Sequence, residues 1–239
     1  MPKHFFFTCL YITLLFAGYF PSNSLGDWVP YSSSLPIGAQ CVVYVRDLHP
    51  TQFTVGYWEI DERAKKVTSK SGKKLLKYLE EHVGKIVVGP GGDPYIIDRH
   101  HLACIMLRTG ASATIFATIE ANFKTATVDS FWKEMIAHKW VYLYDGHGKG
   151  PLDPRQLPKK IKDLEDDPFR SLSWAVRERD GYHESEEAFA EFSWANFFRK
   201  KLVNDNSNAN MEQLIKEALK ICHMPEASGL PGYFPILLK

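Results

Sequence analysis

The chain has 239 residues, 45% hydrophobic and 24% charged, with a formal net charge of +1. That composition excludes a disordered chain and a polytopic membrane protein, and the length allows one sizeable core with an appendage or two small domains. So even a charge balance gives no general argument for nucleic acid; only local patches can supply one.

In chain order, the first element is a targeting segment. "MPKH" is weakly basic, "FFFTCLYITLLFAGYF" is apolar, and "PSNSLG" ends it with a breaker and small residues. This pattern predicts a cleaved secretory signal over residues 1–26, cut ahead of Asp27, with an uncleaved anchor as the competing reading. The mature protein is then expected to be exported, periplasmic or secreted, with no stable membrane association after cleavage. Cys41, Cys104 and Cys222 stay in the mature chain. Export would permit one disulfide among them, and spacing does not choose the pair. The chain holds no C-x-x-C, so no structural zinc site is expected.

"AQCVVYVRDL" predicts a strand, and "HPTQFTVGYWEID" a polar loop opening into a short extended piece. "LLKYLEEHVG" predicts a helix stopped by Gly84. "KIVVGPGGDPYIID" predicts a hairpin, whose "GPGGDP" turn lacks the following Lys-Ser/Thr of a P-loop. Helix "HHLACIMLR" follows, closed by Gly110. Then come strand "ATIFATIEANF", helix "TVDSFWKEMIAHKW" capped by Thr127 or Asp129, and strand "VYLYDGHGKG". Beyond residue 150, "LPKKIKDL", "DPFRSLSWAVRERDG", "SEEAFAEFSWANFFRKKL" and "MEQLIKEALKICH" all read as helices. The expected organisation is therefore an α+β region over residues 27–150, then an all-helical region over 151–239.

The strand–helix junction "YIIDRHHLACIML" concentrates the candidate chemistry. With Asp98 as N-cap, Arg99, His100 and His101 fall in the first helical turn. Free N–H groups there attract anions, and Arg99 adds a bidentate phosphate contact. Either histidine can act as acid or base near neutral pH. The competing reading makes Asp98 a simple cap, His100 solvated and His101 packed. "RAKKVTSKSGKKLLK" holds seven basic residues, Lys73 and Lys74 among them, and no acid, which fits a polyanion or a solvated loop. Lysines at a helix start oppose its dipole, which an anion facing them would relieve. In "WEIDE", Glu59 and Asp61 share one face if the segment is extended. They could then bind Mg2+ or another divalent cation, or Glu59 could serve as a base. "DLEDD" reads as a solvated helix end, the aromatics after Trp174 as helix core, and His147 as a turn residue.

Taken together, "LHPTQFTVGYWEID", "IVVGPGGDPYIIDRHHLA", "DSFWKEMIAHKWVYLYD", "DPFRSLSWAVRERDGY" and "FAEFSWANFFR" resemble the ParB-like nuclease family, over roughly residues 40–200. The resemblance implies a ParB/sulfiredoxin-like fold: a small mixed sheet with helices. It also implies that Asp98-Arg99-His100-His101 binds a nucleotide or nucleic acid phosphate at a helix N-terminus. Kinase-like relatives carry glycine where Arg99 stands and arginine where Leu102 stands. Sulfiredoxins place a cysteine inside this loop, whereas Cys104 lies a turn later. Three activities are open at this stage: a nuclease or phosphodiesterase, a nucleotide-dependent phosphotransferase like the ParB-fold free-serine kinases, and a non-catalytic binding module.

Overall fold

Runs of β-branched and apolar residues build a six-stranded mixed sheet at the front of the chain. The computed structural model describes residues 28–202 and 210–235, so the predicted export signal lies outside the described residues. The strands are β1 (Val29–Pro30), β2 (Gln40–Tyr44), β3 (His49–Pro50), β5 (Gly84–Val88), β6 (Pro94–Ile96) and β7 (Thr114–Asn122). Their order is β1-β2-β7-β5-β6-β3. β2 runs antiparallel to β7, with Val42 opposite Phe116, and β5 lies parallel to β7 on its other side. The predicted hairpin forms: β5 and β6 are antiparallel, with Val87 opposite Tyr95. Its glycine turn is internally bonded, Gly92 donating to the Gly89 carbonyl.

Helix α3 (His100–Thr109) lies against the sheet, and α1 (Tyr57–Thr68) covers it. From His100 to Met106 every residue of α3 is buried. Past the two histidines, the enclosed turns from Leu102 to Met106 are apolar on every face. Leu102, Ile105, Ile86, Ile96, Ile115 and Ile60 form the heart of this core. A second apolar layer, on Phe131, Met135 and Val87, seats helix α4 (Val128–Ala137) on the sheet. Thr127 caps α4, accepting from the Ser130 amide.

The rest of the chain is mostly helical: α5 (Pro168–Arg177), α6 (Ala190–Leu202) and α7 (Met211–Ile221) pack around Leu172, Val176, Trp194, Phe198 and Ile215. Trp194 is fully buried and donates its indole N–H to the Pro231 carbonyl at 2.7 Å, which leaves its large apolar surface without a polar cost. The architecture is thus α+β, a mixed sheet with helices followed by C-terminal helices. Among the described residues no helix is long and apolar enough to cross a membrane. The three described cysteines, Cys41, Cys104 and Cys222, are buried free thiols.

Several local expectations are corrected. "WEID" is the first turn and a half of α1, not an extended piece. Ile60, Ala64 and Val67 recur at helical spacing toward the core, so the 3.6-residue period prevails. "VYLYD" makes only one bridge, Tyr142 to Gln52, because its neighbours pack aromatic rings instead of extending the sheet. "LPKKIKDL" forms just one short 3-10 turn, Ile161–Asp163. Ile161 and Leu164 drop into the first core, and the chain then extends as β8 (Glu165–Asp166) beside β4 (Thr54–Val55). Gly84 opens β5 rather than closing the helix before it, α2 (Gly72–Glu80). Asp167, in the acidic run read as solvated, is 1% exposed; it caps α5 and pairs with Arg199 at 2.6 Å.

Candidate functional site at the start of α3

A cleft of about 560 Å³ opens where β6 turns into α3, between α1, the end of α4 and the start of α6. Asp98, Arg99, His100 and His101 line it together with Glu59. The turn itself differs from the expected cap. Arg99, not Asp98, is the N-cap, and its backbone is left-handed at φ 70°, ψ 29°. The Asp98 carboxylate instead accepts the Arg99 amide at 2.7 Å, which holds the chain in a bend that glycine would adopt freely. The first intrahelical bond runs from the Ala103 amide to the Arg99 carbonyl. Ahead of it, the amides of His100, His101 and Leu102 have no carbonyl to bond within the helix.

The two histidines differ in what holds them. His100 is buried, not solvated: its Nε2 accepts the Thr51 amide at 3.1 Å, while Thr51 Oγ1 donates to the Ile96 carbonyl. Burial pushes its pKa down to about 3, opposed in part by the Ile96 carbonyl. It is a neutral strut between β3, β6 and α3. His101 Nε2 accepts the Gly56 amide at 3.0 Å, with Glu59 Oε2 also 3.2 Å away. Because the amide hydrogen aims at Nε2, the ring proton belongs on Nδ1. Burial, then the positive charges of Arg170 and Arg63, hold His101 well below the usual histidine range. At neutral pH it is an uncharged imidazole lining the cleft.

Glu59 is 1% exposed and sits in a row of alternating charge. Arg63 meets its Oε1 at 2.9 Å and Arg170 its Oε2 at 2.9 Å. Arg170 also reaches Glu191, which in turn holds Arg177. The row Arg63–Glu59–Arg170–Glu191–Arg177 therefore ties α1, α5 and α6 together under the cleft. Gly56 lets this happen, since a Cβ there would stand 2.4 Å from Ser171 Oγ. Taking a partner from Glu59 or Arg170 leaves a buried charge less well paired.

The remaining predicted residues lie apart. Asp61 is exposed, two positions along the helix from Glu59 and so about 200° around it, and pairs with Arg108 at 3.1 Å. The expected shared face for a divalent cation does not exist. Both Glu59 oxygens already face arginines, so this donor set does not fit Mg2+. Among the described residues no group of three or more His, Cys, Asp or Glu side chains is placed to hold a metal ion. Lys73 and Lys74 are exposed on the first turn of α2 and do not line the cleft. Arg63, counted in the same basic run, turns inward to Glu59.

The cleft also contains residues that sequence reading passed over: Lys85, Gln52, Arg170, Arg177, Glu191 and the pair His138–Trp140. The Glu59–Arg63 pair had a legible signal in its i,i+4 spacing. Arg170 and Glu191 had none, since each looks like an ordinary charge on an amphipathic helix 111 or more residues away from Glu59.

The chain is similar to protein Atu1540 from Agrobacterium tumefaciens, known from a crystal structure: 30% identity, TM-score 0.74, covering 83% of this chain and 99% of that one. No curated protein matches. The model of the family described as "Putative ParB-like nuclease" matches residues 41–200, a stretch that begins in β2, contains the α3 junction and ends within α6. The chain belongs to the ParB-like nuclease family.

Proposed function

We propose that this protein is a phosphodiester hydrolase of nuclease type, acting on nucleic acid or nucleotide, that grips a phosphate where α3 begins. The observation that carries the reading is the β6–α3 turn. His100, His101 and Leu102, whose amides have no helical acceptors, line one cleft together with Arg99 at the positive end of the helix, and an anion is the ligand such an end favours. His101 supplies the proton-handling group. It is neutral when the cleft is empty of anion, with its Nδ1–H as a donor. On taking a proton, Nε2 gives up the Gly56 amide and turns its new N–H to Glu59 Oε2, 3.2 Å away, a charged form that a bound phosphate favours. Arg170 and Arg63, each 2.9 Å from one of its oxygens, orient Glu59 for that task. His100, with Nε2 held by Thr51, supports the turn. We further propose that residues 1–26 direct export, which N-terminal sequencing of the mature protein would test.

The test uses labelled DNA, RNA and nucleotides, with and without Mg2+ or Mn2+. Cleavage is expected, lost in His101→Ala while phosphate still raises the melting temperature. A second reading, a non-catalytic nucleotide or nucleic-acid module, draws on the pairing of both Glu59 oxygens. Stabilisation by nucleotide without any turnover would favour it. If no phosphate compound is cleaved or raises the melting temperature, the phosphate site is not there.

A further inference from the structure

At the end of α4 the chain reverses through Lys139, a non-glycine residue in the left-handed region at φ 55°. The Trp140 amide bonds back to the Met135 carbonyl at 2.9 Å and the Lys139 amide to Ile136 at 3.0 Å, the pair of bonds that closes a Schellman turn. The reversal lays the rings of His138 and Trp140 face to face, with centroids 4.3 Å apart and planes 14° from parallel. Both rings line the same cleft as His101 and Arg99. Trp140 packs one side against the α4 core, whereas the His138 side chain remains 52% exposed. A flat ring, backed by a second and left open at the cleft, is a surface on which a third flat ring can stack. Across the cleft, the segment before α6 brings Glu184, Glu186 and Glu187 to the lining, all three exposed. That edge repels a continuing chain of phosphates, and the cleft's volume suits one nucleotide.

We propose that His138, backed by Trp140, is a nucleobase subsite, and that the ligand of the cleft is a nucleoside monophosphate or the terminal nucleotide of a strand. This rests on the phosphate reading of the α3 turn and adds to it the class of ligand: a strand's terminal nucleotide as substrate, and the monophosphate as what its cleavage releases.

The experiment measures calorimetric binding of adenosine monophosphate and ribose 5-phosphate to the whole protein, to His138→Ala and to His138→Leu. The leucine variant keeps an apolar cover on Trp140 should alanine unsettle the turn. The wild type is expected to bind the nucleotide about tenfold or more tightly than the sugar phosphate, a typical stacking contribution. In both variants that gap closes while sugar phosphate binding stays unchanged. Equal binding of the two ligands by the wild type, or a gap that survives in both variants, overturns the base subsite and leaves the phosphate site standing. Binding of neither ligand overturns the phosphate reading and this one with it. As a competitor of the bound nucleotide, a closed circular single strand is expected to be far weaker than a linear strand of the same length. Equal competition would overturn the single-nucleotide limit.

Discussion

At Arg99 the chain gives up backbone comfort for a charge. A non-glycine residue in the left-handed region costs about 1 kcal/mol or more. Arg99→Gly is therefore expected to raise stability by about that amount in urea unfolding, while phosphate binding weakens severalfold. A fall in both quantities would mean that the guanidinium serves the fold instead. His100 gives a pH signature of known sign. Its folded pKa, about 3, lies below its ordinary 6.5, so between those values the unfolded chain binds the extra proton. Stability must then fall as pH drops from about 6.5 toward 3. His100→Gln should flatten that slope by about 1.4 kcal/mol per pH unit, read from melting curves between pH 6 and pH 4. An unchanged slope would show that His100 is charged in the fold.

The buried charge row operates on whole elements. Glu59 comes from α1, Arg170 from α5 and Glu191 from α6, so the carboxylate is where three helices meet. Glu59→Gln leaves Arg63 without its counter-charge and Arg170 with Glu191 alone, and is expected to cost roughly 3–5 kcal/mol in denaturant unfolding. A loss under 1 kcal/mol would mean that water reaches the row and screens it. The helices were largely legible in advance: α3, α4, α5 and α7 each show apolar residues at helical spacing and an end signal. The strand expected over "VYLYD" and the helix expected over "LPKKIKDL" do not form. Propensity favours those assignments locally, and packing against β4 and the aromatic rings overrides it.

Across the whole molecule, the C-terminal residues complete the core that begins the chain. Ile161 and Leu164 sit in the core built on α3, β8 pairs with β4, and α5 packs on α1. A fragment of residues 28–150 would expose that core and break the charge row. It is expected to lack a cooperative melting transition, which residues 28–235 retain; a sharp transition in the short fragment would show that the sheet folds without its helical partner.

By itself, the sequence determined the class of fold, the α3 junction with its quartet of polar residues, and the membership carried by five segments in fixed order. These are local signals, set by spacing and turn chemistry over a few neighbouring residues. Only the tertiary structure decided that Glu59 faces His101 while Asp61 faces away, that Lys73 and Lys74 stand outside the cleft, and that His138 and Trp140 stand inside it. The reason is range. A helix period places a side chain on a face, but the residues it meets come from more than a hundred positions away, as Arg170 does for Glu59. Which charges end up buried together is settled by the packing of α5 on α1.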